Sequence, residues 1–238
     1  MKLAVVTDFD GTLMHQDVGD YLMEHLRVME EPGTEEIRRL FREKKIGSFE
    51  WIKVAYSFLE PHQARIDKLL DEVYLRDGAE TFLQFCRDGG IPVTVLSDGM
   101  EYYVRRILER ERVPVDRVIV NPIRFDKHGR YELGLQNDNE ACRWCGCCKA
   151  NVVRSMKAQG RRIVYIGDGS SDYFGSSFAD WVFARGSLAR YLQNDGIDYY
   201  PFESFHDVLD VLRHHLAEFE AGTAARRIDS SHPQCRFA

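Results

Sequence analysis

The chain has 238 residues, 44% of them hydrophobic, enough for a sizeable core and suited to one domain carrying a large insertion. A net charge of −6 and a pI near 5.8 exclude a general nucleic-acid binder. No apolar run is long enough to span a bilayer and no secretory leader pattern is present. A soluble, cytoplasmic protein with no membrane partner is therefore expected, its six cysteines being reduced thiols or metal ligands.

Leu3, Ala4, Val5 and Val6 form a short apolar run without turn signals, as expected of a buried parallel strand. It leads directly into Thr7-Asp8-Phe9-Asp10-Gly11-Thr12-Leu13. Two carboxylates one residue apart then lie at the carboxyl end of a strand, where open α/β sheets place their reactive crevice. They repel each other unless a cation lies between them. Mg²⁺ needs only one or two carboxylates beside phosphate and water oxygens. Gly11 permits a sharp turn, and Thr12 offers a hydroxyl and an amide to an anion.

Residues 15–76 change character. Apolar positions recur at helical spacing in four runs: Val18 to Leu26, Ile37 to Phe41, Phe49 to Leu59 and Ile66 to Val73, punctuated by Pro32-Gly33, Gly47-Ser48 and Pro61. This predicts a small helical bundle inserted after the first strand, able to close over a site. Asp17 and Asp20 lie near its start, as helix caps or as contacts for a substrate. Lys53 is the cation of the third run, and Phe49, Trp51, Tyr56 and Phe58 suggest an apolar pocket or bundle core.

Beyond the insertion the strand and helix signals alternate. A helix over Ala79 to Arg87 precedes a strand, Ile91 to Leu96, that stops at Ser97-Asp98-Gly99. A hydroxyl at such a strand end can donate to a phosphate oxygen, and Asp98 is a further acid there. A helix (Met100 to Arg112), a strand (Val118 to Val120) and a hairpin (Ile123 to Phe125 with Tyr131 to Leu133) follow. Cys142-Arg143-Trp144-Cys145-Gly146-Cys147-Cys148-Lys149 comes next. Cys142, Cys145, Cys147 and Cys148 are candidates for a zinc site or for reduced or partly paired thiols. Lys149 precedes a helix, Ala150 to Ala158, and can neutralise a carboxylate and a phosphate together.

The strand Ile163 to Ile166 ends in Gly167-Asp168-Gly169-Ser170-Ser171-Asp172. A helix over Phe174 to Asp180, a strand at Trp181 to Ala184, a further helix, a strand edge at Tyr199 to Phe202 and a last helix from Ser204 complete the pattern. His214-His215 is read as surface, since adjacent helix positions point apart. Residues 221–238 are expected to form a flexible tail with Cys235 incidental.

Four segments, in this order and at strand ends or helix starts, resemble the motifs of the haloacid dehalogenase (HAD) superfamily of phosphatases. The helical insertion resembles the cap of its phosphoserine-phosphatase-like branch. The resemblance implies a doubly wound (Rossmann-like) α/β core at residues 1–14 and 77–220 and a cap domain at 15–76. Asp8 is then the nucleophile and Asp10 the general acid/base. Thr12, Ser97, Asp98 and Lys149 bind phosphate. Mg²⁺ is held by Asp8, Asp10 through its carbonyl, Asp168 and Asp172, the last through a water or by holding Lys149. Asp17 and Lys53 are the cap residues facing the substrate.

Phosphoserine phosphatases carry a Glu near Asp17 and an Arg in the later cap helix; no Arg occurs within Phe49 to Leu59. The Cys-Gly-Cys-Cys-Lys run resembles instead the methionine-salvage branch, which acts on 2-hydroxy-3-keto-5-methylthiopentenyl 1-phosphate. The implied partner is a small phosphorylated metabolite, and the implied assembly a monomer or homodimer. A phosphoserine- or phosphocholine-type phosphatase is the alternative within the class. A non-catalytic phosphate-binding protein on the same scaffold is the alternative outside it, and the acids at Asp8, Asp10, Asp168 and Asp172 argue against that.

Overall fold

In the computed structural model, which describes residues 2–228 and residue 235, strand β1 (Lys2–Thr7) is buried at every position but its first. Only a strand covered on both faces is apolar throughout, and β1 lies in mid-sheet. The other strands are β2 (Val93–Met100), β3 (Arg117–Asn121), β4 (Ile123–Phe125), β5 (Tyr131–Leu133), β6 (Arg161–Gly167), β7 (Trp181–Ala184) and β8 (Tyr200–Pro201). The main sheet runs β3-β2-β1-β6-β7-β8, and every neighbouring pair in it is parallel. β4 and β5 form the expected antiparallel hairpin beside it.

Alternate residues divide the core. Leu3 and Val5 of β1, with Val164, Ile166, Trp181 and Phe183, face α5 (Ala79–Asp88), α6 (Glu101–Glu111) and α10 (Phe205–Ala221). Ala4 and Val6, with Leu96, Ile163 and Val182, face α7 (Lys149–Ala158) and α9 (Gly186–Asn194). Helices thus cover both faces of a parallel sheet, a doubly wound α/β fold, and its functional crevice belongs at the carboxyl ends of the strands. The insertion supplies α1 (Val18–His25), α2 (Thr34–Arg42), α3 (Ser48–Ala55) and α4 (Gln63–Leu70), with a tighter helical turn at Tyr56–His62 between the last two. Among the described residues no helix is long and apolar enough to cross a membrane.

Three elements differ from expectation. β2 does not stop at Leu96 but continues through Ser97-Asp98-Gly99, with a register shift against β3 between Leu96 and Met100. The helix expected over Phe174 to Asp180 is a single turn, α8 (Asp172–Ser176). The hydroxyls of Ser176 and Ser177 donate back to the carbonyls of Tyr173 and Phe174 and compete with the helical ladder. The chain also does not come free at Ala221. Trp181 Nε1 donates to the Ala224 carbonyl (3.2 Å) and the Ile228 amide to that of Asp180 (2.8 Å). Half of the expected flexible tail, residues 229–234 and 236–238, lies outside the described residues.

The roots of the insertion are tied together. Met14 and Leu75 form an antiparallel bridge. The next residue, Arg76, is buried, 5% exposed, and its guanidinium donates to carbonyls along the loop after β1. These are Thr12 (2.8 Å), Gly11 (2.6 Å) and His15 (3.0 Å). One side chain thereby fixes both the loop after β1 and the base of the helical insertion. Replacing it removes these donors and leaves the Gly11 carbonyl with Arg185 Nη1 (3.1 Å) alone. Arg76→Met is expected to lower the free energy of unfolding by about 3 kcal/mol, read from the urea midpoint of the full chain.

Candidate active site

The loop Phe9–Leu13 turns sharply after β1 because Gly11 adopts φ +70°. A Cβ there would also stand 2.7 Å from an oxygen of Asp168, so this close approach requires glycine. The turn leaves Asp8 at the sheet edge, 5% exposed. Asp168, at the end of β6, lies opposite. Among the described residues, Asp8, Asp168 and Asp172 are the group that brings three ligand atoms within 4.8 Å of one another.

Lys149 enters the same space from the start of α7, 2% exposed. Its Nζ stands 2.9 Å from Asp8 Oδ1 and 2.7 Å from Asp172 Oδ1. Burial works against its charge, but Asp172 and Asp8 outweigh that and hold the ammonium well above its ordinary pKa. The carboxylates remain undercompensated. Burial pushes the Asp8 carboxyl well up, Asp172 adds to this, and Lys149 only partly opposes it. Burial and then Asp172 raise Asp168 likewise. Despite its ion pair, Asp8 Oδ1 accepts no hydrogen bond of good geometry. Three carboxylates facing one ammonium, with a buried oxygen lacking a donor, fit a hard divalent cation.

Asp172 is the least free of the three. Its Oδ1 accepts from Lys149 and from Tyr165 Oη (2.6 Å), and its Oδ2 accepts the amides of Asp168 (3.1 Å) and Gly169 (3.0 Å). It closes the loop after β6 and aims Lys149. Thr12 was expected to meet phosphate, yet its hydroxyl donates to Asp168 Oδ1 at 2.6 Å. It orients a carboxylate instead.

Asp10 turns towards the cap. Its Oδ2 accepts from Tyr103 Oη (2.7 Å) and Ser97 Oγ (3.1 Å), and its Oδ1 accepts the Val18 amide opening α1 (3.1 Å). Burial raises its carboxyl to about 6, against the pull of these donors. Such a group can give a proton to a leaving oxygen and take one back near neutral pH. Asp17 caps α1 by accepting the Asp20 amide (2.8 Å) and also lines the cavity. Enclosure, then Asp10 and Asp20, hold its carboxyl well above the usual range, although it faces the cavity's own solvent.

A cavity of about 720 Å³ opens above these groups. Met23, Phe41, Ile46, Trp51 and Ile52 supply its apolar wall, and Phe41 stacks on Trp51 with ring centroids 5.6 Å apart. Tyr56 also lines it, whereas Phe49 and Phe58 do not. Lys53 does not line it either; it is half exposed, 4.0 Å from Glu50 and over the Phe49 ring. The cap cations at the cavity are Arg42 and Lys44, with Lys44 over the Tyr191 ring of α9. The basic end of α2 was their sequence signal.

Asp98 has a different task from the phosphate contact expected of it. Its Oδ2 accepts from Ser48 Oγ at the start of α3 (2.6 Å), and its Oδ1 accepts the Cys147 amide (2.5 Å). The Gly146 amide donates to the same Ser48 hydroxyl (2.9 Å), and the Phe49 amide to the Trp144 carbonyl (3.1 Å). A Cβ on Gly47 would stand 1.8 Å from that carbonyl oxygen, so the contact needs glycine. Asp98 thus latches cap to core across the cysteine loop.

Comparison with known proteins bears on this arrangement. The family model of haloacid dehalogenase-like hydrolases matches residues 5–173. A 2-hydroxy-3-keto-5-methylthiopentenyl-1-phosphate phosphatase of Bacillus cereus is 28% identical over 219 residues, covering 91% of this chain and 98% of that protein. One of Exiguobacterium sibiricum is 30% identical over 216 residues, 90% and 97% of the two chains. Among solved structures, a substrate-bound phosphoserine phosphatase complex superposes with TM-score 0.66 at 19% identity, covering 90% of this chain and 98% of that one. A phospho-aspartyl intermediate analogue of phosphoserine phosphatase gives 0.64 at 20%, with the same coverage, 90% and 98%. At these identities the structural likeness is one of fold.

The electrostatics make a prediction. An unfolded carboxyl loses its proton near 3.8, whereas Asp10 keeps its proton in the folded chain to about 6. Between those values the folded state binds more protons than the unfolded one. The Asp10 share of the stability without added divalent cation therefore falls as pH rises from about 4 to about 6. Asp8 and Asp168, shifted the same way, steepen the fall. Urea titrations across this range are expected to show it, with a shallower slope for Asp10→Asn.

Proposed function

The chain belongs to the haloacid dehalogenase-like hydrolases and is a phosphatase of that family; on that premise we propose that it hydrolyses a small phosphomonoester, with Mg²⁺, through an aspartyl-phosphate formed on Asp8. The observation that carries this reading is Asp8 itself: a buried carboxylate at the sheet edge, paired with Lys149 and clustered with Asp168 beneath a large cavity.

An Asp8 oxygen attacks phosphorus while the bond to the leaving oxygen breaks. Asp10 gives its proton to that oxygen, then takes one from the water that attacks the aspartyl-phosphate, and Asp8 is regenerated. Lys149 Nζ, already beside Asp8, meets the incoming phosphoryl oxygens, and Ser97 is the hydroxyl at hand for another. Asp172 keeps the ammonium in place, and Tyr103 keeps the Asp10 carboxyl aimed. Asp8, the Asp10 carbonyl and Asp168 would hold Mg²⁺, with Asp172 behind them. When bound, the ion neutralises phosphoryl charge and that of the surplus carboxylates.

The cap wall indicates the leaving group. Met23, Phe41, Trp51 and Ile52 suit an apolar, polarisable tail, and a thioether fits among aromatics. That supports 2-hydroxy-3-keto-5-methylthiopentenyl 1-phosphate, the substrate named for the relatives. The carboxylates of Asp17 and Asp20 at the same cavity favour, as a second reading, a cationic phosphoserine- or phosphocholine-type ester.

Phosphate release with Mg²⁺ from the thioether enol-phosphate, phosphoserine, phosphocholine and p-nitrophenyl phosphate separates these. The thioether ester is expected to be preferred, chelation to abolish turnover, and Asp8→Asn to lower kcat by a factor on the order of 10⁴. Preference for phosphocholine would favour the second reading. Release from none, with metal bound, would sink the enzymatic one. Trp51→Ala is expected to raise KM for the thioether ester about 10-fold while changing kcat/KM for p-nitrophenyl phosphate less.

A further inference from the structure

Outside the acidic site, one other place gathers chemically capable side chains. Cys142, Cys145 and Cys148 are spaced Cys-X₂-Cys-X₂-Cys in the loop that precedes α7. That loop is wound on two buried asparagines. Asn137 Nδ2 donates to the carbonyls of Cys142 (3.2 Å) and Cys145 (2.5 Å). Asn137 Oδ1 accepts the Asn139 amide (2.9 Å), and Asn139 Oδ1 accepts the Ala141 amide (3.1 Å). The winding turns all three thiols towards one small cavity, and Cys235, from far along the sequence, lines the same cavity. Its volume is about 10 Å³, room for a single small body. Asn139 Nδ2 also donates to Cys148 Sγ (3.6 Å), the kind of outer donor that orients a ligating sulfur.

Cys147 does not belong to this group. It is fully buried in the core cluster that holds Ala4, Val6, Leu96 and Ile163, it does not line this cavity, and its amide serves Asp98. The sequence pattern suggested Cys147 as a ligand and Cys235 as incidental; the fold exchanges them. All six cysteines are free thiols.

We propose that Cys142, Cys145, Cys148 and Cys235 form a four-thiolate zinc site, structural and separate from the Asp8 centre. Four soft sulfurs lining a cavity that no carboxylate lines suit tetrahedral Zn²⁺ and leave no open coordination position. Three of these sulfurs do not yet lie within 4.8 Å of one another. Binding therefore draws the loop and Cys235 together as the thiol protons pass to solvent. The consequence reaches the active site through the chain itself. Cys145 also lines the large cavity, Gly146 and Cys147 make the latch to Ser48 and Asp98, and Cys148 immediately precedes Lys149. Zinc would fix the register of the lysine and the seat of the cap.

The test is the metal and thiol content of the full chain, expressed with zinc in the medium and purified without chelator. One zinc per chain is expected by mass spectrometry, displaced by a mercurial. Exchange for Co²⁺ should give the intense near-ultraviolet sulfur-to-cobalt absorption of a thiolate site. Cys147→Ser and Asp8→Asn should retain the ion; Cys235→Ser should weaken it at least about 10-fold. A zinc-free chain with six titratable thiols, or one with a disulfide in this loop, overturns the proposal. So does zinc that is lost in Asp8→Asn, since that places the ion at the acidic centre. None of these readings depends on turnover, so the result stands apart from the proposed phosphatase chemistry.

Discussion

Lys149 lies between Asp8 and Asp172, within 2.9 and 2.7 Å of their oxygens, and all three side chains are buried. Asp168 completes a set of acids that one ammonium cannot balance. In a medium of low polarity such an excess is tolerated only if protons remain, a cation enters or the acids move apart. The backbone forbids the last. β1 and β6 are adjacent parallel strands in register from Lys2 with Arg161 to Thr7 with Ile166, so the acids that end them are delivered to the same edge. Gly11 and Gly186 allow the loops to approach Asp168 closely, and Tyr165 and Thr12 hold individual carboxylates in place. A site built this way suits a hard divalent cation.

The cap is bound to this centre by polar contacts rather than by a shared core alone. Arg76 anchors its root to the loop after β1, and Asp98 anchors the start of α3 to the cysteine loop. Asp10 accepts the amide that opens α1, which ties the proposed acid/base to the first cap helix. Cap seating and proton transfer are therefore coupled by geometry. A substrate that fills the apolar wall stabilises the arrangement in which Asp10 is correctly aimed.

Much of this was legible in the residues. The Asp-X-Asp-Gly-Thr run, the later Gly-Asp-X-X-X-Asp and the lysine before α7 each announce themselves by type and position, because the chemistry admits few substitutes. The strand and helix order followed from hydrophobic runs and glycine punctuation, and the β4–β5 hairpin fell where its turn residues placed it. What escaped depends on contacts between distant segments. Nothing local shows that Thr12 faces Asp168, that Asp98 meets Ser48, or that Tyr103 donates to Asp10 from across β2. Lys53 was favoured because it is the cation of its helix, yet the turn of α3 carries it outward. Cys235 lines a cavity with Cys142, Cys145 and Cys148 whereas Cys147 does not, and this escaped for the same reason: spacing along a chain does not reveal which side of a loop a thiol takes.

On the proposed mechanism Asp8 carries the phosphoryl group during turnover. Acid-quenching the full chain while it turns over a radiolabelled phosphomonoester with Mg²⁺ tests this most directly. The account predicts protein-bound label that survives acid, is released by hydroxylamine and maps to the peptide containing Asp8. Turnover with no bound label under fast quenching, or label on a different side chain, would contradict it.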